Sequence, residues 1–261
     1  MIKIERQNEI EKLVKGKEYI ALMDIPRILN CSESTIRRDI DEMEKKGILK
    51  RSQGVVIWNK KNPTSNQQPE IIYHYRQSQN ADAKRVLGEF AARFVEENDT
   101  LFLDTGTTIL EMAKHIPDMT LTVVTNDLVI AMELEERSKI QVIILGGSIR
   151  RGTHTVIGSM ASDILSNFRF QKAFFSPAGI DTEGEFMFYN LQAMEVRQKA
   201  CAAADKCVMV ADQSKFGKKG FVKGFGFDRC DLLITDEFPV RNDINWEDYC
   251  SSRIADIRTC L

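Results

Sequence analysis

Two sets of side chains in this chain could do chemistry. The first lies in residues 31–54, where Ser32, Ser34, Thr35, Arg37 and Arg38 crowd the start of one segment and Lys50, Arg51 and Gln53 follow it. Hydroxyls and guanidinium groups beside the N–H donors of a helix start suit phosphate oxygens and base edges in a DNA major groove. The second set recurs in short polar stretches from residue 104 to residue 215: Asp104-Thr105-Gly106-Thr107-Thr108, Thr125-Asn126, Gly146-Gly147 with Arg150, Gly179 with Asp181, and Asp212 with Ser214 and Lys215. Hydroxyls, glycines and cations offer donors to a phosphate, and the carboxylates offer acceptors to sugar hydroxyls.

The first set needs a helix to present it. Ser32 is a good N-cap, and Ile36, Ile40 and Met43 follow at i, i+4 and i+7, a single buried stripe that sends Ser34, Thr35, Arg37 and Arg38 to the other side. Before it, Ile4, Ile10, Leu13 and Val14 give a first helix an apolar face that Gly16 ends, and a short helix runs from Met23 to Leu29 with Asp24 and Pro26 in its first turn. After Gly47, the runs 48–51 and 55–58 flank Ser52-Gln53-Gly54 as a hairpin with Lys50 and Arg51 near its tip. Two adjacent arginines alone more often mark a solvated helix face; the helix, turn and basic hairpin around them favour DNA. Residues 1–62 carry 14 Lys and Arg against 10 Asp and Glu, whereas the whole chain has a net charge of −2, so a basic head precedes an acidic body.

The second set needs a sheet. Apolar runs at 100–104, 121–125, 141–145, 172–176, 207–211 and 231–235 alternate with helical stretches at 81–97, 108–115, 128–137, 160–168 and 193–204. In the first of these helices Val86, Phe90 and Phe94 form the expected buried stripe. Strands separated by helices imply a largely parallel sheet covered on both faces, and ligands bind at the carboxyl ends of such strands, where the polar stretches fall. The glycine-rich 217–226 reads as a loop without the GxGxxG order of a dinucleotide site, so no cofactor is expected.

At 261 residues two domains are expected: a DNA-binding domain over 1–58, a linker over 59–76 and an α/β domain over 77–261, with a helix from Trp246 near its end. No apolar run approaches the ~20 residues that cross a bilayer, and no secretory leader is evident, so a cytoplasmic protein is expected. Six cysteines without a CxxC pair, and three isolated histidines, offer no metal site.

Thr35-Ile36-Arg37-Arg38-Asp39-Ile40, followed by Glu44, Gly47, Leu49 and Arg51, resembles the helix-turn-helix signature of the DeoR family of bacterial transcriptional regulators. The hairpin departs from the family, which commonly has His or Tyr and two glycines where Gln53-Gly54-Val55 stands. The resemblance continues to about residue 236 through the polar stretches above, with Val124-Thr125-Asn126, Glu195-Val196-Arg197, Asp212-Gln213-Ser214-Lys215-Phe216 and Ile234-Thr235-Asp236 in order. It implies a winged helix-turn-helix followed by a Rossmann-like α/β effector domain related to ribose-5-phosphate isomerase. It also implies operator DNA as partner, a phosphorylated sugar as effector, a homodimer or homotetramer, and release of DNA on effector binding. Glu195 and Arg197 join the effector-binding set on this ground. Ser176-Pro177 replaces a usual Leu-Gly, and Arg197 stands where Lys is common.

Three functions compete at this point. The leading one is a sugar-responsive transcriptional repressor, with no catalytic residues. The second is an isomerase fused to a DNA-binding head, in which Asp104, Asp181 or Glu195 is the base and Lys215 stabilises an enediolate. The third is an architectural DNA-binding protein with a ligand-free body.

Overall fold

The computed structural model describes residues 2–17, 19–52, 54–58, 76–150, 153–218, 220–237 and 254–256. They fall into two compact units, the first made of the residues up to Arg76 together with 151–153 and the second of the residues from Gln77 to Arg150 and from His154 on. The linker expected over 59–76 lies, but for Arg76, outside the described residues, as does Gln53; of the stretch expected to be helical from Trp246 only 254–256 are described, and they form a strand instead.

The first unit contains helices α1 (Lys3–Lys17), α2 (Asp24–Leu29) and α3 (Glu33–Lys45) and strands β1 (Tyr19–Ala21), β2 (Leu49–Ser52) and β3 (Val55–Trp58). β3 lies between β1 and β2, antiparallel to both, so the expected hairpin gains a third strand that the sequence reading missed. Ile10, Val14, Ile25, Ile36, Ile40, Met43, Leu49 and Val56 form its core. Helix α1 runs through Gly16 to Lys17 instead of ending there, and Ile4 is 70% exposed because it falls off the stripe made by Ile10 and Val14. Asn30 closes α2 in the left-handed region (φ 50°), turning the chain into α3.

The second unit follows as α4 (Ala81–Ala92), β4 (Thr100–Leu103), α5 (Thr107–His115), β5 (Leu121–Thr125), α6 (Leu128–Glu135) and β6 (Ile140–Ile144). A hairpin, β7 (Ser148–Arg150) and β8 (Thr155–Ile157), leads to α7 (Ser159–Ile164) and β9 (Phe170–Phe175). Then come β10 (Gly179–Ile180), β11 (Glu185–Phe188), α8 (Met194–Ala202), β12 (Ala204–Val210), β13 (Val222–Gly226), β14 (Leu232–Thr235) and β15 (Ile254–Asp256). Seven strands form one sheet in the order β15-β14-β12-β9-β4-β5-β6, and every pairing is parallel. Alternation within a strand serves both faces: Leu101 and Leu103 enter one core, Phe102 the other.

Several expectations need correction. Helix α4 stops at Ala92, and its buried face carries Leu87, Phe90 and Ala91 while Val86 is 37% exposed. That face includes Gly88 because α5 lies so close: a Cβ there would sit 2.6 Å from the Glu111 backbone carbon. The glycine-rich 217–226 is not all loop; β13 pairs antiparallel with β11, and a Cβ at Gly224 would meet the Phe188 ring at 2.4 Å. Composition suggested looseness where close approach was the reason for the glycines. Expected strand ends moved by one to three residues, as at β9 and β12.

Candidate functional site

In the first unit, the Ser32 hydroxyl accepts the Thr35 N–H at 3.4 Å and lies 2.8 Å from the Thr35 hydroxyl. Ser32 and Thr35 therefore build the start of α3, while Ser34, Arg37 and Arg38 are exposed on it. Arg37 approaches Glu33 at 3.9 Å, but both side chains are more than half exposed, so the pair restrains it little. Lys50 is exposed on β2. Arg51 has a structural duty as well: its guanidinium meets Asp41 at 2.8 Å and its N–H donates to Glu44 at 2.8 Å, fixing β2 to α3. Buried Asp39, which sequence reading placed only in the family motif, accepts from Arg6 and from Gln7 and so ties α3 to α1. The acidic rear of the reading helix anchors it, and its front carries the cations.

In the second unit, the strand order reverses direction between β4 and β9, which makes the crevice beyond their carboxyl ends the expected ligand site. Asp104, directly after β4, is fully buried and accepts from Arg197 Nε at 2.6 Å; Arg197 is 5% exposed and comes from α8, 93 residues on. The Arg197 guanidinium lies over the Phe188 ring at 4.5 Å, which fixes its plane. Its Nη1 is buried without a hydrogen-bond partner, as are both side-chain polar atoms of Asn126 after β5. Arg150 at the end of β7 is half-buried, and burial, and then the Arg197 charge, lower its pKa from the usual value, so the field of one guanidinium reaches the other. Helix α5 begins at the same crevice, and its N-cap Gly106 (φ 153°) supplies no side chain to the first turn of Thr107 and Thr108. Beyond β12, Asp212 is 1% exposed; its Oδ1 accepts from Ser214 N–H and from Asn80 Nδ2, both at 3.0 Å, and its Oδ2 is buried without a partner. Lys215 is half-buried two residues beyond Gln213 in the same turn. Asp104, Arg150 and Arg197 come together, and Asp212, Ser214 and Asn80 form a second group.

Other expected ligands hold the scaffold. The Thr125 hydroxyl donates to the Leu103 carbonyl at 2.7 Å and accepts the Asp127 N–H, so it braces the turn. Thr105 donates to Asp127 at 2.6 Å and meets Thr155 at 2.9 Å, joining the loop after β4 to β8. Asp181 accepts the N–H groups of Glu183 and Glu185 and closes the β10–β11 turn. A Cβ at Gly179 would lie 2.3 Å from the Lys218 carbonyl oxygen, and one at Gly147 2.7 Å from that of Ile157, so these glycines serve close packing. Gly146 lies against Met160. Glu195 is the clear departure: it is exposed and pairs with Lys199 at 3.3 Å. At ~100° per residue, two positions turn a helix by ~200°, so Glu195 and Arg197 cannot both face inward.

Asp127, Thr155 and Asn80 were missed. Asp127 had a signal, an acid just before the apolar run of α6, which it caps by accepting from Val129 at 2.9 Å and Ile130 at 3.3 Å. Burial pushes its carboxyl above the usual carboxylate range; hydrogen bonds from Thr105, Ile130 and Val129 oppose this, and the Asp104 charge adds to it. The folded value lies above the unfolded one, so the contribution of Asp127 is fully present below the ordinary Asp pKa and is lost as pH rises through the folded value. Asp127→Asn retains a capping oxygen and is expected to gain stability relative to the native chain across that window. Chemical denaturation at successive pH values checks this, and parallel curves would refute it.

A three-helix winged head with an exposed cationic reading helix, joined to a parallel α/β body with a buried cationic crevice, defines a DNA-binding regulator with a ligand-sensing domain. Residues 6–62 match the model of the DeoR-like helix-turn-helix domain and residues 79–237 that of the DeoR C terminal sensor domain. The chain belongs to the DeoR family of transcriptional regulators. It is 31% identical over 237 residues to the HTH-type transcriptional regulator GlpR of Haloferax volcanii, covering 90% of this chain and 91% of the relative. It is 34% identical over 238 residues to the lactose phosphotransferase system repressor of Staphylococcus aureus strain NCTC 8325, covering 90% and 93%. A ribose 5-phosphate isomerase from Methanocaldococcus jannaschii overlaps 53% of this chain and 55% of its own at 14% identity and a TM-score of 0.39. The relatives are regulators and repressors, and the isomerase alternative falls: this protein is a DNA-binding regulator, not an enzyme. No described helix is long and apolar enough to cross a membrane.

Proposed function

We propose that this protein is a cytoplasmic repressor of a carbohydrate-use operon, and that a phosphorylated sugar bound in the crevice between β4 and β9 modulates its operator affinity. The observation that carries the reading is the buried Arg197, whose Nε is held by Asp104 and whose Nη1 has no partner beside Arg150. Burying the Arg197 guanidinium within reach of a second, half-buried cation is costly, and an anion that accepts from them offsets the cost. The uncapped start of α5 supplies backbone donors to the same anion. Asn126 and Asp212, with buried polar atoms unsatisfied, suit the hydroxyls of a sugar, which both donate and accept. The S. aureus relative's name concerns a sugar system, in keeping with this reading.

The effector-binding set is then Asp104, Gly106, Thr107, Thr108, Asn126, Arg150, Arg197, Asp212, Ser214 and Lys215, with Thr105, Thr125 and Asp181 shaping it. Arg37, Arg38, Ser34 and Lys50 face DNA. The domains divide at 1–58, 59–76 and 77–261. The protein acts as a homodimer or homotetramer, since two reading helices one DNA turn apart, about 34–36 Å, match a two-fold operator. The effector must bind the DNA-competent and DNA-released states unequally, and a difference of ~1.4 kcal/mol already changes DNA affinity about tenfold.

A thermal-shift screen of phosphorylated sugars with their unphosphorylated counterparts tests the reading: only phosphorylated members should raise Tm. Lys215→Ala is expected to leave DNA binding unchanged and to weaken the response to the active sugar phosphate by tenfold or more in half-maximal concentration. A screen in which no phosphate ester moves Tm favours a ligand-free body instead.

A further inference from the structure

Asn80 stands where the second unit begins, three residues after Gln77, and it is the N-cap of α4. Asparagine at this position ordinarily turns its side-chain oxygen to the first N–H groups of the helix. Here it does not: Asn80 is in the left-handed region (φ 50°, ψ 41°) and makes no side-chain cap. Its amide Nδ2 instead donates to Asp212 Oδ1 at 3.0 Å and to Ser214 Oγ at 2.9 Å, 132 and 134 residues away. The free Oδ2 of that same Asp212 is buried and unpartnered. Asp236 faces the group as well: burial, with the Asp212 charge adding and a bond from Gln213 N–H opposing, raises its pKa.

From this geometry we infer that Asn80 is the positioning residue through which the effector site acts on the segment leading to the DNA-binding head. The inference rests on the sugar-phosphate reading above. Asn80 has two mutually exclusive uses for one side chain. Docked on Asp212 and Ser214, it holds the start of α4 against the turn after β12; undocked, and with its backbone moved from the left-handed to the extended region, it caps α4 and releases that turn. A sugar hydroxyl donating to Asp212 Oδ2 completes the carboxylate's hydrogen bonding and fixes its orientation, so it binds the docked arrangement more tightly than the undocked one. A ligand that discriminates between two arrangements shifts their populations, and the chain entering α4 shifts with them. Asn80 itself is exposed, so its replacement removes no core packing.

Asn80→Ala abolishes docking. Asn80→Asp keeps a good capping side chain for the undocked arrangement, and docking would set its carboxylate against Asp212, so like-charge repulsion disfavours the docked one. Duplex DNA selected by the native protein from a random-sequence pool serves as operator. The probe is whichever of ribose 5-phosphate, fructose 1-phosphate, fructose 6-phosphate, glucose 6-phosphate or galactose 6-phosphate raises the native Tm most. Probe binding is measured directly, and operator affinity is measured without probe and at saturating probe. The native protein is expected to change operator affinity tenfold or more. Both variants should still bind the probe, yet change operator affinity less than twofold. Saturation removes any effect of altered probe affinity, so a merely local role for Asn80 would leave the tenfold change intact. Variants that retain the native change, or that no longer bind the probe at all, overturn the inference while leaving the sugar-phosphate reading standing. A native protein to which none of the five phosphates binds overturns both.

Discussion

Asp104→Ala is expected to destabilise the sensor domain by about 3–5 kcal/mol, the cost of leaving one partner of a buried ion pair without its counter-charge. Asp104 is fully buried and Arg197 is 5% exposed, so water cannot replace the lost carboxylate. For a domain of this size the melting temperature should fall by roughly 6–20 °C. Arg197→Met added to Asp104→Ala should restore most of that loss. It removes the stranded charge and keeps an unbranched side chain against Phe188, where the guanidinium now lies. The double variant should remain deaf to sugar phosphates, because the anion has lost its principal cation. Melting curves of the two variants, each with and without the active phosphate, separate stability from response. A single variant that melts with the native protein would show that Asp104 is not the counter-ion that holds Arg197.

The second large effect is at the reading helix. Arg38→Ala is expected to weaken binding to the selected operator by ~1–3 kcal/mol, about 5- to 150-fold, if its guanidinium is bidentate to a guanine edge. Arg38 is exposed near the start of α3, whereas Arg37 has Glu33 one turn before it. Arg51 is paired with Asp41 and would surrender that contact to reach DNA. The variant should lose discrimination between operator and unrelated duplex, since phosphate contacts are common to both and base contacts are not. Equal affinity of native and variant protein for operator, at matched salt, would remove Arg38 from the groove.

Local pattern carried much of the architecture. The stripe Ile36, Ile40, Met43 placed α3 correctly, with Ser32 capping it, because both are decided within a few residues. Apolar runs located six of the seven strands of the parallel sheet, since strands buried on both faces have no polar side to blur the signal. Short antiparallel pieces such as β1, β7, β8 and β10 were illegible: at two or three residues each, they are held by partners the local sequence does not name. β13 was misread for the opposite reason, since its glycines answer to the Phe188 ring and not to turn geometry.

The site divides along the same line. The sequence alone determined that the polar stretches follow strands, and so that Asp104, Asn126 and Asp212 meet at one edge of one sheet; chain direction in a parallel sheet requires it. Side-chain bonding within that edge depends on pairings across 22 to 134 residues, as in Thr105 with Asp127 or Asn80 with Ser214. Only the tertiary structure therefore decided which carboxylates line the crevice and which cap a turn or lie on the surface: Arg197 turns inward to Asp104 while Glu195, two residues earlier, turns out to Lys199. A motif fixes residue order, but helix phase and strand register fix which side of the wall each residue stands on.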